Sequence, residues 1–92
     1  MTTNILEEIK KERERQDLRW GGPSHDDKYS MRDFIQWIED YAGWARMMDS
    51  IENYDEERRR LIQVAALAVA AVESLDRKNN KCVFKNCYVA EL

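Results

Sequence analysis

Apolar side chains are concentrated in one long run, residues 61–72 (LIQVAALAVAAV), which only Gln63 interrupts. Five alanines and the absence of Gly and Pro make this run a strong helix former. Its 12 residues are too few to span a bilayer, which needs about 20. Because the run is apolar on every face, we expect a central core helix that is buried on every face. A domain this small can hardly enclose such a helix alone, so we expect part of its surface to face a second subunit.

Two further helices are predicted before this run. The first is capped by Thr3 or Asn4 and extends to about Arg19. The second covers residues 31–51 and follows Ser30 and Asp33, which have the S-x-x-D spacing of a capping box. One face of this helix is rich in aromatic residues, a pattern that favours core packing over a cofactor site. Its members are Phe34, Trp37, Ile38, Tyr41, Trp44, Ala45, Met48 and Ile51.

The third predicted helix carries the apolar run. Asn53 or Asp55 caps it, and it ends at about Arg77. Three consecutive arginines, residues 58–60, point about 100° apart on a helix, so at least one must lean towards a neighbouring helix. Residues 81–92 can form two short β-strands or an extended arm on a partner subunit. We therefore predict an all-α protein: a three-helix antiparallel domain at residues 1–80, a short extended or β tail at 81–92, and an oligomeric state.

The composition is typical of one soluble domain. The chain has 92 residues, of which 36% are charged, and a mean hydropathy of −0.76. Its formal net charge of −3 argues against a protein that coats nucleic acid. The charged N-terminus predicts no signal peptide, and Cys82 and Cys87 are read as free thiols, so we expect a cytoplasmic protein. One histidine leaves too few ligands for a Cys/His zinc site, and no resident cofactor is predicted.

Polar residues interrupt the apolar face of the first helix. Ile9, Arg13, Gln16 and Trp20 follow one another at helical spacing, where Leu or Val is usual. Arg13 and Gln16 on this face indicate either a buried hydrogen-bond network or ligand pocket, or a solvated surface.

The next eight residues, 20–27 (WGGPSHDD), predict a turn that ends the first helix. They bring together an aromatic side chain, the only histidine and two carboxylates, and binding residues are often found on such loops. His25 can act as a general base or donate to a phosphate. The structural alternative is that Asp26 caps a turn and backbone groups satisfy His25.

Several of these segments together resemble a known group of proteins. The motifs are Glu12-Arg13-x-Arg15-Gln16, Trp20-Gly21, His25, residues 60–66 (RLIQVAA) and residues 73–77 (ESLDR). In this order they resemble small phage proteins labelled MazG-like, and the phage dATP/dGTP diphosphohydrolase-like group. The resemblance covers about residues 9–77. It implies an all-α fold, an oligomer, a nucleotide-sized ligand and a location in the host cytoplasm.

The chain departs from this family at its metal-binding motifs. MazG-type enzymes carry E-E-x-x-E on one helix and E-x-x-D on the next, and these carboxylates hold Mg²⁺ against the phosphates. Here the first motif falls on residues 39–43 and ends in Gly43, and the second falls on residues 60–63, where Arg60 and Gln63 replace its acids. We therefore expect no metal site. An arginine in that place can pair with a phosphate directly.

Three hypotheses follow. The first is a non-catalytic nucleotide-binding protein, an oligomeric sponge that sequesters a cyclic-nucleotide signal of host antiviral defence. The second is a Mg²⁺-dependent nucleoside triphosphate pyrophosphohydrolase with a displaced carboxylate site. The third is a helical oligomer that binds a host protein through its tail. For the first, we expect arginines to contact phosphate, a tryptophan to stack and the His-Asp pair to contact base or ribose, with no membrane and no long nucleic acid as partner. The predicted ligand-binding residues are Arg13, Arg15, Gln16, Arg19, Trp20, Gly21, Gly22, His25, Asp26, Trp44, Arg59 and Arg60.

Overall fold

The computed structural model describes residues 2–79, and their secondary structure is entirely helical. Helix α1 is Thr2–Trp20, α2 is Gly22–Asp26, α3 is Met31–Ser50 and α4 is Tyr54–Lys78. The all-α prediction is confirmed for this part of the chain. The predicted tail, residues 81–92 with Cys82 and Cys87, lies outside the described residues.

Local sequence signals fix the starts of the two long central helices. Ser30 and Asp33 form the reciprocal capping box that begins α3, with side chain and backbone hydrogen bonds in both directions. At the start of α4, the side chain of Asn53 accepts a hydrogen bond from the backbone N–H of Glu56. Asn53, rather than Asp55, is therefore the cap of α4.

The turn after α1 contains a short helix that the sequence analysis does not predict. Gly21 has φ of +104°, a conformation that glycine adopts without strain, and it ends α1 as expected. The five residues of α2 then follow, with Pro23 in the first turn. Proline suits that position because its missing N–H has no partner in the first turn of a helix.

Helix α4 is the centre of the domain. It packs along α3, along α1 and against α2, whereas no Cα atoms of α1 and α3 approach within 8 Å of each other. The short connection after α3 makes α3 and α4 antiparallel. Ion pairs of Glu8 with Arg58 and of Arg13 with Glu73 show that α1 runs in the same direction as α4. The three long helices thus run up, down and up, with two of the three possible interfaces closed.

The inner face of α4 supplies most of the buried apolar residues. Ala66, Leu67 and Ala70 are buried, together with Phe34 and Ala45 of α3. The expectation that α4 is buried on every face is wrong for the single chain. Its outer face remains exposed because one layer of two helices covers only one side of it, and the exposed members include Leu61, Val69, Val72 and Leu75. An oligomer that covers this face remains a prediction.

The aromatic face of α3 is only partly core. Phe34 is buried, but Trp44 and Ile51 are 41% and 63% exposed. The prediction that this face packs as core is therefore correct at Phe34 and wrong at these two positions. The reason is that α1, the helix that would cover them, stands away from α3. No helix among the described residues is long and apolar enough to cross a membrane.

Candidate functional site

A cavity occupies the place where α1 would meet α3 in a closed three-helix bundle. Its volume is about 300 Å³, at the lower end of the volumes typical of ligand pockets, roughly 300–1,000 Å³. Leu67 and Ala70 of α4 form its base, and α2 contributes His25 and Asp26. The other lining residues are Arg13, Gln16 and Trp20 of α1, Tyr29, and Phe34, Trp37 and Tyr41 of α3.

The α1 side of the cavity is polar because Arg13 and Gln16 lie on the face that would otherwise meet α3. Gln16 is only 2% exposed. Its amide donates to Glu12 Oε2 at 3.1 Å, and its carbonyl oxygen accepts from Arg13 at 3.4 Å. Arg13 also pairs with Asp17 at 3.0 Å. Arg13 and Gln16 therefore form a buried hydrogen-bond network, which is one of the alternatives predicted for this stripe. The same residues also line a cavity.

Aromatic rings form the opposite wall. His25 lies between Trp20 and Tyr29, with ring centroids 6.5 and 5.0 Å away, and Trp37 contacts Tyr29 edge-on at 5.0 Å. Trp37 also meets Phe34 at 5.5 Å. Rings held against one another at these distances form a rigid apolar surface. Such a surface suits a flat aromatic ligand.

An ion pair joins the residue that follows α2 to the C-terminal end of α4. Both carboxylate oxygens of Asp27 accept hydrogen bonds from Arg77, at 2.8 to 3.1 Å, and Oδ1 also accepts from the buried hydroxyl of Ser74 at 2.9 Å. Lys78 donates to the carbonyl oxygen of Tyr29. The Arg77 hydrogen bonds, with a smaller contribution from Ser74, lower the pKa of Asp27 against the opposing effect of desolvation. This contact holds His25 and its neighbours at the cavity.

A groove rich in arginine adjoins the cavity. The guanidinium carbon of Arg60 lies over the ring of Trp44, 3.4 Å from the ring centroid. Arg60 also donates hydrogen bonds to Glu56 at 2.5 Å and to Gln63 at 2.8 Å. Arg15 makes a bidentate pair with Glu12 at 2.6 and 3.0 Å. The full lining is Glu12, Arg15, Arg19, Trp20, Tyr41, Trp44, Arg59, Arg60 and Gln63, that is, four cations and one anion.

The cavity and the groove lie next to each other. Trp20 of α1 and Tyr41 of α3 line both. The aromatic cavity and the positively charged groove therefore meet at these two side chains. A ligand that spans both would need a flat apolar part and an anionic part.

The structure brings together most of the residues that the sequence analysis names. Arg13, Gln16, Trp20, His25 and Asp26 line the cavity. The groove is lined by Arg15, Arg19, Trp44, Arg59 and Arg60, and Trp20 lines the groove as well as the cavity.

Two of the predicted ligand-binding residues shape the turn and do not contact either space. Gly21 and Gly22 line neither space and instead form the turn between α1 and α2, with φ of +104° and +69°. A side chain at Gly21 would also meet the Cβ of His25 at 3.4 Å.

Sequence analysis missed four lining residues: Tyr29, Phe34, Trp37 and Tyr41. Three of them belong to the aromatic face of α3, which was assigned to the core. The signal that could have revealed these residues was on α1. Its polar stripe offers no apolar partner to the aromatic face of α3, so that face was available to line a cavity.

The arginine prediction at residues 58–60 is confirmed. Arg58 makes a bidentate pair with Glu8 of α1, with both distances 2.7 Å, and Arg60 leans onto Trp44 of α3. Arg60 also donates a hydrogen bond to the side-chain oxygen of Gln63, so the two residues at the places of the expected acids bond each other. Among residues 2–79, no three His, Cys, Asp or Glu side chains cluster closely enough to hold a metal ion.

Comparison of the chain with protein-family models, with curated proteins and with solved structures yields no match. The resemblance to MazG-like phage proteins therefore stays a prediction.

Proposed function

We propose that this protein binds a nucleotide without cleaving it, with the base in the aromatic cavity and the phosphate in the arginine groove. The observation that carries the proposal is that the cavity and the groove adjoin, with Trp20 and Tyr41 lining both. A nucleotide has the same two parts, a flat aromatic base joined to an anion. Stacking of a base on an aromatic side chain contributes about 1–3 kcal/mol.

The groove is suited to phosphate although the protein is acidic overall. Glu12 holds Arg15, and Glu56 holds Arg60, so these two guanidinium groups are oriented before a ligand arrives. Arg59 is 66% exposed and lies 4.0 Å from Glu56, at the limit of an ion pair. Arg59 and the exposed Arg19 are therefore the two arginines of the groove with most donor capacity left for a phosphate. Guanidinium groups bind phosphate in a bidentate manner.

The wider role follows from the resemblance rather than from the site. A phage protein that binds a nucleotide tightly and releases it unchanged would act as a sponge for a cyclic-nucleotide signal of host defence. The panel of test ligands therefore includes cyclic mononucleotides and dinucleotides beside mono- and triphosphates.

The binding test uses the fluorescence of the protein itself. All three tryptophans, Trp20, Trp37 and Trp44, line the cavity or the groove. We expect a stacked base to quench their emission, and a nucleoside without phosphate to bind more weakly than its nucleotide. The difference should shrink at high salt, because ions screen exposed charges.

The matched variants are arginine substitutions. Arg19→Ala and Arg59→Ala should each weaken nucleotide binding about three- to tenfold, the range expected for exposed charge-assisted hydrogen bonds. Arg46→Ala is the control, since Arg46 is exposed on α3 and lines neither space. Equal effects of all three variants would contradict a phosphate site in the groove.

The same samples test catalysis. We expect the nucleotide to be recovered intact after incubation with Mg²⁺ or with EDTA. Sustained release of pyrophosphate would overturn the non-catalytic proposal in favour of the hydrolase. Absence of binding by every nucleotide would overturn the proposal as a whole, and the protein-partner hypothesis would then be tested by deleting residues 81–92.

A further inference from the structure

The polar end of the cavity contains a buried acceptor that has no hydrogen-bond partner. Asp26 is 7% exposed, and its Oδ1 lies 3.4 Å from Nδ1 of His25. Its other oxygen, Oδ2, is fully buried and accepts no hydrogen bond from any described residue. The nearest cation is Arg13, at 3.7 Å, which is beyond hydrogen-bond distance. A desolvated carboxylate oxygen is costly to leave unpaired. Because Asp26 lines the cavity, a rotation of its side chain would bring this oxygen to a donor supplied by a ligand.

The charge around this acceptor also favours a ligand that donates. Arg13 is shared among Asp17, Asp26 and Glu73 at 3.0, 3.7 and 3.5 Å. Arg77 pairs with Asp27 and lies close enough to interact electrostatically with Asp26 and Glu73 as well. Two guanidinium groups thus face four carboxylates, those of Asp17, Asp26, Asp27 and Glu73. Carboxylates therefore outnumber cations around this end of the cavity, whereas cations outnumber carboxylates in the adjoining groove. A ligand that fits both ends carries N–H donors on its flat part and negative charge on its tail.

We infer that Asp26 reads the base, and that the ligand is a nucleotide whose base carries an exocyclic amino group: adenine, guanine or cytosine. This inference rests on the proposed nucleotide binding. In these bases an amino group donates and a neighbouring ring nitrogen or carbonyl oxygen accepts. Asp26 takes the amino hydrogen, and Arg13, which lies beside it, donates to the adjacent acceptor.

Uracil and thymine do not match this pair of groups. Their single N–H donor on the pairing edge lies between two carbonyl oxygens, so a carboxylate that accepts from it also faces a carbonyl. Like partial charges are then brought together in a site of low dielectric, where such contacts cost most. Selectivity arises because uracil or thymine would leave Asp26 without a hydrogen-bond donor and would also place a carbonyl oxygen against its carboxylate.

The decisive test compares ligands that differ in the amino group on the pairing edge. Binding of CMP against UMP, and of AMP and of GMP against IMP, is measured with the wild-type protein by tryptophan fluorescence or calorimetry. We expect the amino-bearing member of each pair to bind about 10- to 100-fold more tightly, as for a hydrogen bond to a charged group. Equal affinities within all three pairs would overturn the inference and leave the proposed nucleotide binding intact. No binding by any of these nucleotides or by any other member of the ligand panel would overturn the proposed function itself.

A variant assigns the selectivity to one side chain. Asp26→Asn keeps the size of the side chain but removes the charge and replaces one acceptor by a donor, so it should reduce the preference for CMP over UMP to less than about threefold. Asp40→Asn is the matched control, since Asp40 is exposed on α3 and lines neither space. Unchanged selectivity in Asp26→Asn would show that another group reads the base. Should that variant fail to fold by circular dichroism, the wild-type comparison alone decides.

Discussion

Replacing Gly43 by alanine should make the protein more stable without changing its ligand affinity. Gly43 lies in the middle of the 20-residue helix α3, and it does not have the positive φ of Gly21 and Gly22. A Cβ atom built at Gly43 has no other heavy atom within 4 Å, apart from its own helix and chain neighbours. The added methyl group therefore meets open space within the single chain, and no strain opposes it.

The size of the effect follows from helix propensity. Glycine in a helix interior costs about 1 kcal/mol relative to alanine, mainly because the unfolded chain has more conformations to lose. No packing term has to be subtracted, since the new Cβ contacts nothing. For a domain of this size, about 1 kcal/mol raises the melting temperature by roughly 4–8 °C.

The assay is thermal and urea unfolding followed by circular dichroism at 222 nm. Arg46→Ala, three residues further along α3 on an exposed position, is the control and should change the free energy of unfolding by less than about 0.5 kcal/mol. Nucleotide affinity should be unchanged in both variants, because neither residue lines the cavity or the groove.

A fall in the melting temperature of Gly43→Ala would refute this reasoning. It would mean that the Cβ atom meets something other than the single chain. Repeating the unfolding over a hundredfold range of protein concentration separates the two explanations, because stability that depends on association changes with concentration. A concentration-independent loss would instead show that the helix geometry at Gly43 is wrong.

Two more predictions concern the Asp27 contact and the oligomer. Asp27 has a pKa below its ordinary value of 3.8 in the folded protein, so the stability it contributes is present above that value and is lost as the pH falls through the lowered pKa. Asp27→Asn should therefore be less stable than wild type at pH 7 and show a smaller loss on acidification to pH 2; parallel curves would exclude this contact as the cause. Val72 is 51% exposed on the outer face of α4, and Val72→Glu should convert an oligomer to a folded monomer in light scattering, whereas Lys10→Glu on α1 should not. A wild-type protein that is monomeric at all concentrations tested would contradict the predicted second subunit.

The sequence by itself determined the helices and most of their ends, because these signals are local. A capping box at Ser30 and Asp33, an asparagine cap at Asn53 and a left-handed glycine at Gly21 each act within a few residues of chain. The alanine-rich run likewise indicated the central helix. The short α2 was missed because five residues after a Gly-Gly-Pro sequence carry no periodicity by which to recognise a helix.

Only the tertiary structure decided which faces meet. An aromatic stripe has the same spacing whether it packs in a core or lines a cavity, so the sequence could not separate Phe34, which is buried, from Trp37 and Tyr41, which are partly exposed at the cavity. The difference arises because α1 and α3 both pack on α4 but stay apart from each other. The polar stripe of α1 at Arg13 and Gln16 is the local reason, since these side chains bond partners on α1 itself and offer no apolar surface to the rings of α3. The candidate site is thus the interface that this bundle does not close.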